Sequence, residues 1–192
     1  MMFKKSAVLS FGLLCVLLNG CSTVIDATTS EPIDMDPNRR TTGTAIDDSQ
    51  IETIANVNLK KAHPEVKKAP ITVTSYNRVV LLTGQIRNNE LRQLAGETVA
   101  KLSKVRQVHN ELQVQAPISF FTTIGDAWIT SKIKTKLLTN KEIRSNRLKI
   151  VTENGTVHFM GLVGRAEAEK AADIARTTSG VQKVVLAIEY VE

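Results

Sequence analysis

The chain has 192 residues, enough for one moderate domain or two small ones, with 25 Lys and Arg against 19 Asp and Glu for a formal charge of +6. That mild balance lacks the dense basic stripe of a nucleic-acid binder and suits a protein living beside anionic phospholipid. The only cysteines are Cys15 and Cys21, both close to the amino end, so a disulfide framework is excluded.

In chain order, Lys4 and Lys5 supply a positive segment, Ala7 to Leu18 an apolar run, and Leu18-Asn19-Gly20-Cys21 closes it. This is a secretory signal, too short and too weakly flanked for a spanning helix. The small Gly20 before a cysteine resembles the bacterial lipobox, which implies cleavage after residue 20 and lipidation at Cys21. Three acyl chains would hold the protein on a membrane indefinitely, whereas one anchors marginally. Ser22 follows, and the absence of an Asp there implies, by the same resemblance, an outer membrane facing the periplasm. Residues 21–46 are rich in Thr, Ser, Asp and Pro without apolar periodicity and read as a flexible tether with a reach of roughly 25–30 Å.

Beyond the tether the pattern of elements occurs twice, at a period of about 77 residues. Ile71 to Ile86 matches Leu148 to Val163, each as two strands around a tight turn, with Asn77-Arg78 in the first and Asn154-Gly155 in the second. Gly84 and Gly161 stand at equivalent places near the end of the second strand and suggest a bend or a close backbone approach. A helix follows each hairpin (Leu91, Leu94, Ala95, Val99, Leu102; Ala168, Ala171, Ala172, Ala175), and a Val-rich strand closes each half. Before each hairpin lies another helix, with Ile51, Ile54, Ala55 and Leu59 after Asp47-Asp48 and Ile129, Ile133 and Leu137 after Asp126. The aspartates are placed to cap these helices. The expectation is an α+β fold of two αββαβ units, residues 47–116 and 117–192, each a three-stranded mixed sheet with two helices on one face.

The Asp, apolar helix, hairpin, strand-ending Gly, helix and final Val-rich strand resemble the BON domain of bacterial envelopes, present twice over Asp47 to Val191. Together with the lipobox and Asp126-Ala-Trp-Ile-Thr-Ser-Lys132, the chain resembles the dual-BON outer-membrane lipoproteins. The resemblance implies binding to anionic phospholipids (phosphatidylglycerol, cardiolipin), support of outer-membrane integrity and enrichment at the division septum. Outer-membrane assembly machinery is a candidate protein partner only on the rival adaptor reading. Arg78 departs from the usual turn glycine.

No catalytic constellation is visible. His63, His109 and His158 are scattered without the close spacing of a zinc site, so neither metal nor cofactor is expected, and an enzyme is the weakest reading. The segment 125–140 is unusual. At about 100° per residue, Ile129, Ile133 and Leu137 share one arc, while Trp128, Ser131, Thr135 and Leu138 fall on the opposite one, flanked by Lys132 and Lys134. Seven basic residues against two acids lie between Asp126 and Lys149. An exposed indole and Leu framed by ammonium groups is what an interfacial helix needs. The opposing readings are that Trp128 packs between the domains, and that the molecule is a tethered periplasmic adaptor for outer-membrane assembly or cell-wall proteins. Phe120 and Phe121, read as lying just ahead of the helix, fit either arrangement.

Overall fold

The computed structural model describes residues 39–191. The signal segment, Cys21 and most of the expected tether lie outside the described residues. Helix α1 spans Thr42–Ala62 and the short α2 Pro64–Lys68, followed by strands β1 (Ile71–Tyr76) and β2 (Val79–Ile86), helix α3 (Asn89–Ala100), and a third strand split into β3 (Gln107–Asn110) and β4 (Gln113–Val114). The second half repeats this with α4 (Phe120–Thr139), β5 (Leu148–Glu153), β6 (Thr156–Val163), α5 (Arg165–Arg176) and β7 (Lys183–Tyr190). In each half the hairpin is antiparallel and the last strand joins its second strand in parallel, giving mixed sheets with β2 and β6 at their centres. This is the expected α+β architecture, doubled.

The leading helices begin earlier than their aspartates suggested. Thr41 and Ser119 are the caps, their side chains accepting from the N–H of Thr44 and Thr122, so Thr42–Ile46 belong to α1 rather than to the tether, and Phe120 and Phe121 open α4. The aspartates instead clamp the hairpin turns. Asp48 is buried and accepts the N–H of Asn77 and Arg78 (2.9 and 2.7 Å), the Ser75 hydroxyl (2.7 Å) and the Arg40 guanidinium (2.8 Å). Asp126 accepts the N–H of Asn154 and Gly155 at 2.7 and 2.8 Å. A buried carboxylate is tolerated only with such partners. The turn residues need them too: Asn77, Arg78, Asn154 and Gly155 all have positive φ (52°, 64°, 49° and 70°), as a two-residue turn of this hand requires. Arg78, which resists that conformation, is further tied by its guanidinium to Asp47 at 2.9 Å.

Each sheet buries two cores. On the helix side, Ile51, Ala55, Leu59, Val80, Leu82, Ala95 and Val99 form the first, and Ile129, Ile133, Leu137, Val157, Phe159, Ala171 and Ala175 the second. The other faces meet each other: Tyr76, Val79 and Leu81 pack on Met160, Leu162 and Ala187. The layers therefore run helix, sheet, sheet, helix. Each fully buried Leu or Met of that seam contributes about 1.5–3 kcal/mol, a large share of the stability of two small domains. Hydrogen bonds close its edges, from Tyr76 to the Arg147 carbonyl (3.1 Å), from Asn77 to Glu189 (2.7 Å) and from Gln85 to Glu153.

Gly84 and Gly161 occupy the same register, paired with Ile71 and Leu148. A Cβ on Gly84 would lie 2.0 Å from the Pro70 carbonyl oxygen, and φ there is +117°. One on Gly161 would lie 2.4 Å from the Arg147 carbonyl oxygen. Both glycines are places of close backbone approach. Gly84→Val is expected to cost about 3 kcal/mol or more and Gly161→Val about 2–3 kcal/mol in chemical denaturation. An unchanged midpoint for either would contradict the crowding.

The seam also holds two histidines. His158 is buried with no partner for Nδ1, and burial pushes its pKa down, with Glu111 opposing and Lys183 and His109 reinforcing; burial likewise lowers His109. Both take up a proton less readily in the folded chain than in the unfolded one, which protonates first, near the ordinary value of about 6.5. Their contribution is present above that pH and is lost as pH falls through the lower folded values. Glu153, whose pKa burial raises and the Asp126 charge raises further against the Gln85 hydrogen bond, acts oppositely once pH falls through its raised value. The thermal midpoint should therefore fall from pH 7.5 to 5.5, and His158→Leu should flatten that decline. A midpoint independent of pH over this range would contradict the neutral seam.

Candidate functional site

The four-layer packing leaves the outer faces of the helices as the surfaces open to partners. On α4 the core stripe Ile129, Ile133 and Leu137 and the clamp Asp126 face inward, which fixes the rotation of the helix. Opposite them Trp128 is 65 % exposed and Leu138 73 % exposed, with Ser131 and Thr135 exposed between them. The indole stands in water rather than between the domains. The stripe reaches further than the sequence reading placed it: Ile124, Phe120 and Phe121, one and two turns before Trp128, are also exposed, and the two phenyl rings meet edge to face at 6.3 Å. Ile124 escaped notice, although its spacing of four from Trp128 and three from Phe121 was the available signal.

The lysines divide. Lys132 extends to the carbonyl oxygen of Ser179 at 3.2 Å and Lys136 to the Thr178 hydroxyl at 2.9 Å. Lys134 has no hydrogen-bond or ion-pair partner among the described residues. Of the other bases in this stretch, Lys149 turns to the seam and pairs with Glu52 at 3.2 Å, and Arg144 pairs with Glu167 at 2.7 Å. The ion pairs of Lys149 and Arg144 thus make the unpaired positive charge near the helix smaller than the count of basic residues, while Lys132 and Lys136, held by neutral oxygens, keep their charges and Lys134 is the lysine of α4 without a partner among the described residues.

Beside Lys134 a cleft of about 190 Å³ opens between the carboxyl half of α4 and β5. Leu137, Leu138, Leu148 and Ile150 wall it, and Ser145 and Asn146 of the 3-10 turn before β5 also line it. Sequence reasoning missed it, because it joins residues from three elements. Ser131 and Thr135 donate to carbonyl oxygens one turn back within α4, at 2.9 and 3.0 Å, which quiets their hydroxyls on the outer face. No group of three or more His, Cys, Asp or Glu among the described residues could hold a metal, and no helix among them is long and apolar enough to cross a membrane. The arrangement is suited to docking on an amphiphilic surface.

The comparisons agree with this architecture. The BON domain family model matches residues 47–116 and 125–192. The chain is 32 % identical over 191 residues to the "Outer membrane lipoprotein DolP" of Haemophilus influenzae, covering 98 % of this chain and 97 % of that one. It is 37 % identical over 153 residues to the "21 kDa hemolysin" of Actinobacillus pleuropneumoniae, covering 80 % and 79 %. It is also 29 % identical over 153 residues to "Osmotically-inducible protein Y" of Escherichia coli, covering 78 % and 76 %.

Because Trp128 stands in water and Ile133 is fully enclosed, the two sites should respond oppositely to the same change. Trp128→Glu is expected to leave the folding free energy within about 0.5 kcal/mol of the parent, and Ile133→Glu to unfold the second domain by burying an unpaired charge. Circular dichroism melts check this. A Trp128→Glu protein that unfolds would place the indole in a core after all.

Proposed function

The chain belongs to the BON-domain family, and from that premise we propose that this outer-membrane lipoprotein docks its second domain reversibly on anionic phospholipid of the periplasm-facing leaflet. It does so through the outer face of α4 and without catalysing a reaction. The observation that carries the proposal is the exposed apolar stripe from Phe121 through Trp128 to Leu138, rimmed by an unpaired Lys134. An indole gains by resting at headgroup depth while a nearby ammonium meets phosphate, and each Lys close to an anionic surface adds about 1 kcal/mol. A lipid anchor at Cys21 would keep the domain near the membrane, so that weak docking suffices. On this reading the lipids taken are phosphatidylglycerol and cardiolipin, and docking is how the protein supports outer-membrane integrity and gathers at the division septum.

The adaptor reading keeps one observation of its own. Helix α1, on the other outer layer, exposes Ile46 (57 %), Val57 (44 %) and Ile54 (49 %), the last expected in the inward stripe but turned out beside Ala55, a face suited to a protein surface such as outer-membrane assembly machinery. Vesicle binding separates the mechanisms. The mature chain carrying Cys21→Ser, so that acyl groups contribute nothing, is expected to sediment with phosphatidylglycerol-containing vesicles and far less with purely zwitterionic ones. Binding should weaken about tenfold with Trp128→Glu, and Lys134→Gln should reduce its sensitivity to salt more than Lys132→Gln, whose parent ammonium is already engaged. A folded Trp128→Glu protein that binds as tightly as the parent would transfer the case to the adaptor.

A further inference from the structure

The cleft beside Lys134 is more than a continuation of the membrane face. A flat interfacial helix needs only exposed apolar side chains, yet here an apolar recess of about 190 Å³ opens at the edge of that face, walled by Leu137, Leu138, Leu148 and Ile150. An apolar cavity of about 150 Å³ accepts a benzene-sized molecule, so the recess has room for the last few carbons of a hydrocarbon chain. At its mouth stands Lys134, the ammonium of α4 that no described residue engages, whereas Lys132 and Lys136 reach the Ser179 carbonyl and the Thr178 hydroxyl. A free cation one helical turn from an exposed leucine, above an apolar slot, is complementary to an anionic head joined to a hydrocarbon tail.

We propose that this cleft is a single-lipid site: one membrane phospholipid places its phosphate at Lys134 and the end of one acyl chain between Leu148, Ile150 and Leu138. The proposal rests on the docking reading above and deepens it, from attraction to a charged surface to capture of an individual lipid. Each methylene drawn out of water adds about a threefold to fourfold gain in affinity. The tail therefore contributes most of the affinity, while the phosphate selects anionic lipids and sets the orientation. Ser145 and Asn146 complete the lining beside these apolar walls.

The test uses the mature chain with Cys21→Ser and dihexanoyl phosphatidylglycerol below its micelle-forming concentration, followed by the methyl resonances of Leu148 and Ile150. A saturable shift is expected, absent with glycerol phosphate at the same concentration, which separates a lipid from a free phosphate. Lys134→Gln should weaken the binding severalfold. Ser145→Phe, or Asn146→Trp should the first variant fail to fold, should abolish the shift by filling the cleft while Trp128-dependent sedimentation with vesicles persists. Wild-type protein that sediments with vesicles but gives no saturable shift would overturn the single-lipid site and leave surface docking standing. Protein that binds the monomeric lipid but no vesicle would keep the site and overturn the docking. Unaltered monomer binding in both cleft-filling variants would place the lipid elsewhere and also overturn the site.

Discussion

The structure depends on a carboxylate that holds a turn. Asp126 projects from the middle of the first half of α4 into the hairpin and takes the two turn N–H groups at 2.7 and 2.8 Å. A charge nearly removed from water could not persist without those donors, and the donors of a turn with positive φ would otherwise be left unpaired. The bond therefore fixes both partners: the hairpin keeps its register, and the helix loses its freedom to rotate. Once Asp126, Ile129, Ile133 and Leu137 face inward, Trp128 and Leu138 have nowhere to go but out. Asp48 performs the same task in the first repeat, with Arg40 and Ser75 as additional partners.

The second constraint is that the two sheets cover each other. Every residue of β2 and β6 is buried, so the centre of neither sheet is open to a partner, and the accessible surfaces are the helix faces, the sheet edges and the rims between them. There the repeats have diverged in an informative way. Aligned on their aspartates, the inner positions Ile51, Ala55 and Leu59 correspond to Ile129, Ile133 and Leu137, apolar in both. Outside, Gln50 stands where the second repeat has Trp128, and Asn56 where it has Lys134. In the first repeat these positions serve the fold, Gln50 accepting from Lys104 and Asn56 donating to the Glu52 carbonyl, whereas Trp128 and Lys134 stand exposed.

Much of this was legible in the residues. The hairpins, the paired glycines and the inward stripe of α4 follow from alternation, turn chemistry and helical spacing, which are local signals. The helix starts were misplaced because an Asp before an apolar run reads as a cap, while its acceptor role toward a turn about 28 residues away leaves no local trace. The seam was not foreseen, although Val79-Val80-Leu81-Leu82 runs apolar without alternation, the mark of a strand covered on both sides. The engagement of Lys132 with Ser179 and the cleft under Leu138 depend on how α4 sits over α5 and β5, and sequence spacing along one helix carries no information about that.

The central claim is that the outer face of α4 enters an anionic membrane. Trp128 is the chain's single tryptophan, so its fluorescence reports that face without any label. Titrating the unlipidated mature chain with phosphatidylglycerol vesicles that carry bromine at defined acyl positions should shift its emission to the blue. Quenching should be strongest for bromines nearest the headgroups. Protein that sediments with these vesicles while the Trp128 emission stays at its aqueous wavelength and resists quenching at every depth would contradict the account.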